Sequence, residues 1–277
     1  MLIAISIVRN EADRYLRDWL ANVATYADRH VVLDDGSDDR TVAILLERAT
    51  INPRLTIEAN DSSIFAEREQ MLRAQSWELA RRVARSGDWI IIVDADEFFD
   101  GEMVARQAEL RARPESLVRM RRLDLWAEGL YRVDGYWSAA YSPMFRFQDR
   151  PFGVTGCGLN ESPLPAYARD PSAAVYRSAV RCLHKGWLRD EDKRWKHEFY
   201  LRHVQRPFDR LHVRSSLERS PRLRRYHADY RCLAAKVARA RFATRERTGE
   251  WIRPPLLSVL AWRRRVLERL HRGRRVT

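Results

Sequence analysis

Three acidic and polar clusters in the first hundred residues have the composition needed to hold a cation beside a polyol or phosphate. The densest is Asp94-Ala95-Asp96, followed by Glu97-Phe98-Phe99. In extended backbone, residues i and i+2 point the same way, so this spacing predicts two carboxylates facing one point. Two hard oxygen donors suit magnesium or manganese, with positions left for phosphate and water. An isolated D-x-D is more often a solvated strand exit. Here it follows the apolar run Trp89-Ile90-Ile91-Ile92-Val93, and carboxylates so close to a core are costly unless they bind something. The second cluster is Asp34-Asp35-Gly36-Ser37-Asp38-Asp39. Gly36 permits a tight turn and Ser37 is placed to cap a following helix. An aspartate here has the chemistry to accept hydrogen bonds from a base N–H or a ribose hydroxyl; an ordinary acidic helix start is an equal reading. Asn10-Glu11 is the third cluster.

The elements around these clusters follow from hydrophobic periodicity. Residues 2–8 are apolar and β-branched, a buried strand. Asn10 is expected to cap the next helix, in which Leu16, Trp19, Leu20, Val23 and Ala27 recur at helical spacing. Strands are expected at 30–33, 55–59 and 89–93, and helices at 38–49 and 65–85. A β-α-β-α-β-α-β rhythm argues a parallel, doubly wound sheet, which binds ligands where the strands' carboxyl ends open into a crevice. All three clusters fall at such ends. Further strands are expected at 117–125 and 141–147, and from about residue 190 the chain turns helical and basic.

In order and spacing, Asn10-Glu11, Asp34-Asp35-Gly36-Ser37-x-Asp39 and the run from Trp89 through Asp94-Ala95-Asp96-Glu97 resemble the family 2 glycosyltransferases with the GT-A fold. A further resemblance, to bacterial transferases of the lipopolysaccharide or cell-surface glycan type, runs through Met144-Phe145-Arg146 and Gly158-Leu159-Asn160-Glu161, where Asn160 stands in place of a histidine. The resemblance implies a Rossmann-like, mostly parallel α/β sheet flanked by helices, and a nucleotide-sugar donor, with UDP-sugars favoured. Asp34 or Asp35 would contact the nucleoside, Val8, Asn10 and Glu11 would line its pocket, and Arg68 would join them. Asp94 and Asp96 would hold Mn2+ or Mg2+ against the diphosphate.

The second half must serve the acceptor, a glycan or lipid-linked sugar. His184, in Cys182-Leu183-His184-Lys185-Gly186-Trp187, is the expected late histidine on the metal, and imidazole suits manganese better than magnesium; a core or surface histidine is an equal reading. Lys185 would neutralise the diphosphate. An inverting transfer needs a carboxylate to take the acceptor's proton, and Glu161, in a Gly-containing loop, is the expected base. Asp190, Glu191 and Asp192 are alternatives, though such a charged run more often starts a helix.

Residues 181–277 hold 28 Lys and Arg against 10 Asp and Glu, a net of +18, whereas residues 1–180 carry a net of −5. This predicts a catalytic domain at 1–205, split at about residue 100 into nucleotide and acceptor halves, and a basic helical extension at 206–277. Its last helix, 256–272, mixes Leu256, Leu260 and Trp262 with Arg263, Arg264 and Arg265. It has the pattern of a helix lying on an anionic membrane, or of a packed helix with solvated arginines. Three scattered cysteines and no leader-like N-terminus predict a cytoplasmic protein. A sugar-nucleotide nucleotidyltransferase would show a Gly-rich loop after the first strand, and a dinucleotide oxidoreductase would show G-x-G-x-x-G. A basic nucleic-acid-binding protein fits the tail alone. No nucleic acid is expected, because the acidic sheet edge repels a polyanion.

Overall fold

The computed structural model describes residues 1–134, 137–154, 159, 162–203, 213–217 and 221–226. These belong to one compact unit, Met1–Tyr226; a second unit, His227–Thr277, lies outside the described residues, and the expectation of a helix at 256–272 falls there.

The chain opens as β1 (Leu2–Val8), α1 (Leu16–Ala24), β2 (Arg29–Asp34), α2 (Thr41–Ile51), β3 (Leu55–Ala59), α3 (Phe65–Arg81) and β4 (Trp89–Ile92). The four strands are parallel and ordered β4-β1-β2-β3. Val8 pairs with Asp34 and Asp34 with Ala59, so the exits are level. Alternate residues of β1 face opposite ways. Leu2, Ala4 and Val8 pack with Leu16, Trp19, Leu20 and Val23 of α1 and with Ile44 and Leu45 of α2. Ile3 and Ile5 pack with Leu72, Trp77, Leu79 and Ala80 of α3 on the other face. Each such side chain stabilises the fold by roughly 1.5–3 kcal/mol when removed from water. Apolar contact on both faces is what holds the crevice edge rigid.

The second half makes the sheet mixed. It comprises β5 (Glu97–Phe99), α4 (Gly101–Ala105), α5 (Gln107–Ala112), β6 (Leu117–Ala127), β7 (Leu130–Arg132), β8 (Ala140–Arg146), β9 (Val175–His184), α6 (Asp190–His203) and β10 (Leu223–Arg225). Strand β8 runs antiparallel to β4, and β6 antiparallel to β8. Strand β9 is parallel to β6 and antiparallel to β5. Because β10 pairs with β7, the compact unit reaches Tyr226, past the expected boundary at 205.

Local expectations change at the crevice edge. Asn10 does not cap α1, which starts six residues later. It takes a left-handed φ of 54°, and its amide bonds Asp38 twice, donating through Nδ2 (2.9 Å) and accepting Asp38 N–H (3.0 Å). Helix α2 begins at Thr41 rather than residue 38, with Thr41 N–H donating to Asp39 (2.7 Å). Ser37 is drawn back onto Asp34, donating through N–H (2.8 Å) and Oγ–H (2.5 Å). Asp94 to Glu97 is not extended, because Glu97 N–H donates to Asp94 C=O at 2.9 Å in a turn. The two aspartates of D-x-D therefore do not share a side by strand alternation.

Candidate active site

The parallel strands deliver the three clusters to one edge. Asp34 and Asp35 are fully buried and satisfied by the chain itself. Asp34 holds Ser37, and Asp35 accepts from Ser63 Oγ (2.5 Å), Ile64 N–H (3.0 Å) and Phe65 N–H (3.1 Å), which anchors the start of α3. Gly36, at φ +67°, lies so close to Ser62 that a Cβ would sit 2.5 Å from its carbonyl carbon. These contacts fix the turn after β2 as a wall of backbone and short side chains at the strand edge. Val8 is in the core, and its carbonyl accepts Asp35 N–H (2.9 Å), so it supports that wall rather than lining it.

Glu11 is buried, its N–H donating to Thr41 Oγ1 (2.8 Å). Its Oε1 accepts from Arg14 (2.7 Å), while Oε2 is buried with no hydrogen-bond partner. Burial pushes its carboxyl up to about 7 against the opposing pull of Arg14, with Asp96 adding to the rise. Arg14 also reaches Asp192 of α6 (3.2 Å), tying that helix to the exit of β1.

The two halves of the sheet meet at a second row of side chains. Across β5, β9 and β6, Glu97 is in register with His184 and His184 with Asp124. His184 Nδ1 lies 2.6 Å from Asp124 Oδ1, and its Nε2 lies 3.4 Å from Asp96 Oδ1. The other Asp96 oxygen accepts from Lys196 Nζ at 2.7 Å. Burial alone would raise the Asp96 carboxyl, but Lys196 and then His184 hold it well below the usual range. Burial would likewise lower His184; Asp96 and Asp124 overcome it and lift the imidazole to about 9. Burial and the nearby Asp94 charge push Glu97 up to about 7.

Asp94 points elsewhere. Its side chain is 47% exposed and pairs with Arg73 of α3 at 3.2 Å, and Arg73 also contacts Glu69 (3.3 Å). Burial works against the Arg73 cation, but Asp94 and Glu69 more than restore it. Arg68, the expected pocket residue, is exposed at a kink in α3 where its φ is −141°; the α3 arginine that meets the D-x-D segment is Arg73. Lys185 also differs from expectation. Its ammonium lies 3.7 Å from the Phe98 ring centroid and 5.4 Å from that of Tyr15, and it is Lys196 that brings a cation to Asp96. The Lys185 backbone serves the site, its N–H donating to Asp96 C=O at 2.7 Å. Glu161 lies outside the described residues. The run Asp190, Glu191, Asp192 starts α6.

The donor chemistry fits a hard divalent cation. Metal–ligand bonds of roughly 2.0–2.2 Å put neighbouring ligand atoms about 3–3.5 Å apart, and Asp96 Oδ1 and His184 Nε2 are 3.4 Å apart. Asp124 on Nδ1 leaves Nε2 to act as the ligand atom in the neutral ring, the usual supporting arrangement for a metal-bound histidine. Among the described residues, however, no three His, Cys, Asp or Glu side chains are gathered closely enough to hold an ion by themselves.

Asp124, Lys196 and Arg73 were missed by sequence reasoning. Asp124 carried a usable signal, a charge inside the apolar run Leu123-Asp124-Leu125-Trp126. Lys196 and Arg73 lie in charge-rich helices where nothing local separates a buried cation from a solvated one.

Residues 4–124 match the model of the family described as Glycosyl transferase family 2. No curated protein matches the sequence. Similar solved structures include the mannosyltransferase PcManGT from Pyrobaculum calidifontis in complex with GDP-Man and Mn2+, 16% identical over 96% of this chain and 79% of that one, with a TM-score of 0.48. TarS 1-349 of S. aureus in complex with UDP is 14% identical over 78% of this chain and 69% of that one, with a TM-score of 0.44.

Proposed function

From a chain that carries a glycosyl transferase family 2 domain over residues 4–124, we propose an inverting transferase that moves a sugar from a nucleotide-sugar donor, with UDP-sugars favoured, to a hydroxyl of a glycan or lipid-linked acceptor. The observation that carries this reading is the shared carboxyl-end edge of four parallel strands, where the turn after β2 holds Asp34 and Asp35 and the exit of β4 brings Asp94 to Arg73 and Asp96 to His184 and Lys196.

In this reading the nucleoside lies against the wall formed by Asn10, Asp35 and Gly36. The expected metal set of Asp94, Asp96 and His184 reduces to Asp96 with His184, since Asp94 turns to Arg73; this pair would hold Mn2+ or Mg2+, which when bound would offset the charge that develops on the leaving diphosphate. With two protein ligands, such an ion would have positions left for oxygens of the donor and for water. Arg73 and Lys196 add fixed positive charge, which counts for more in a partly dry site than in water. Buried Glu11 and Glu97 rim the site at carboxyl values of about 7, so less negative charge opposes an incoming diphosphate. Glu161 takes the acceptor's proton, the nucleophile attacks in line, and the anomeric centre inverts. The basic C-terminal segment expected to be helical at 256–272 would bring the enzyme to an anionic membrane face on the cytoplasmic side.

A thermal-shift screen of UDP-, GDP-, dTDP- and ADP-sugars with and without Mn2+ tests the donor, because a ligand selective for the folded state raises its melting temperature by mass action. Product configuration by NMR tests inversion, and Glu161→Gln tests the base. Release of pyrophosphate from a nucleoside triphosphate, with no glycoside formed, would replace this reading with a nucleotidyltransferase.

A further inference from the structure

We propose that Lys196 is a built-in competitor for the cation at Asp96, so that divalent metal binds weakly until a diphosphate draws the ammonium away. This rests on the reading that Asp96 and His184 take the cation. Lys196 Nζ sits 2.7 Å from Asp96 Oδ2, on the same carboxylate whose other oxygen is 3.4 Å from His184. The lysine is buried, at 9% exposure, on the inner face of α6 beside Asp192. The other acidic groups near it, Glu11 and Asp192, are both bonded to Arg14, which leaves Asp96 as the ion-pair partner of the lysine. Its head group lies 5.3 Å from the Trp187 ring centroid, Arg14 repels it, and Gly186 closes over it so tightly that a Cβ there would be 2.1 Å from Nζ and 2.2 Å from Asp96 Oδ2.

A divalent ion on Asp96 and His184 would share one carboxylate with this ammonium. Two cations within a few ångströms in a poorly solvated site repel strongly, and a buried ammonium that loses its anion is costly. The free protein therefore holds Asp96 neutralised by its own lysine. A donor diphosphate changes the balance by offering Lys196 a second anion as it brings phosphate oxygens to the metal. The consequence is coupling: donor and cation each raise the other's affinity by the same factor, beyond what the direct metal–phosphate contact supplies.

The experiment is Mn2+ titration of the full chain, read by the EPR signal of free aquated Mn2+, with and without UDP, for wild type, Lys196→Met and Lys196→Gln. Circular dichroism confirms folding, and the glutamine variant serves if the methionine variant does not fold. The expected result is Mn2+ binding at least about tenfold tighter in the lysine variants without UDP, with a smaller additional gain on adding UDP. Asp96→Asn should remove the gain. Equal Mn2+ affinity and equal UDP enhancement in wild type and both variants overturn the role of Lys196 and leave the metal reading standing. No Mn2+ binding by any of the proteins, with or without UDP, overturns both.

Discussion

Gly186→Ala adds a single methyl group where the site has no room for it. No left-handed backbone requirement applies at this glycine, so the effect is steric. The new Cβ would stand 2.1 Å from Lys196 Nζ, 2.2 Å from Asp96 Oδ2 and 2.8 Å from His184 Nε2, all far inside van der Waals contact. Lys196 is flexible in principle, but its head group is buried and ion-paired at 2.7 Å, so moving it separates the pair. Breaking a buried ion pair costs about 3–5 kcal/mol, and overpacking alone costs about 1–3 kcal/mol. Taking the lower end of the first, about 3 kcal/mol, and about 2–4 °C per kcal/mol for a unit of this size, Gly186→Ala should melt roughly 6–12 °C below wild type. Two controls make the reasoning specific. Gly101→Ala, where a Cβ meets nothing within 4 Å, should be close to neutral. In a Lys196→Ala background the cost of Gly186→Ala should fall, because one of the two closest atoms has gone, and a double-mutant cycle by urea unfolding reads that coupling directly. If Gly186→Ala melts with wild type, or if its cost is the same with and without Lys196, the packing account of this cluster is wrong.

Two other outcomes follow from the same geometry. Arg73→Met should lower kcat/KM for the donor by about ten- to a hundredfold, equivalent to about 1.4–2.8 kcal/mol; Arg73→Lys should recover only part of it, since a lysine cannot span Glu69 and Asp94 as a fork, and full activity in Arg73→Met would remove this residue from the site. Glu11 has its carboxyl raised to about 7, so the folded chain holds that proton more tightly than the unfolded one. Its stabilising contribution is complete below about pH 4.5 and drains away as pH rises through about 7. Glu11→Gln lacks this dependence and should gain up to about 3 kcal/mol relative to wild type between pH 4.5 and 8, read from urea unfolding at several pH values; parallel pH curves for the two proteins would contradict it.

Much of the nucleotide half was legible along the chain. The 3.6-residue recurrence of Leu16, Trp19, Leu20 and Val23, and the apolar runs of β1 and β4, are local patterns that only one kind of layered sheet can bury. Parallel strands then force Asn10-Glu11, Asp34-Asp35 and Asp94-Ala95-Asp96 to the same edge, because all of them leave by their carboxyl ends. The directions of the side chains at that edge were not legible. Asn10 reads as a helix cap, yet it clamps Asp38, because a capping residue bonds whichever backbone comes within reach. Asp94 and Asp96 read as partners by strand alternation, yet a turn sends one to Arg73 and the other to Lys196. The cluster around Asp96 depends on residues 97, 124, 184 and 196, brought together by the register of β5 against β9 and β9 against β6 and by the docking of α6. Strand register between distant segments, and which face of a charged helix turns inward, are settled by the packing of the whole core. A lysine is solvated or buried according to what lies across from it, and that neighbour lies a hundred residues away in the chain.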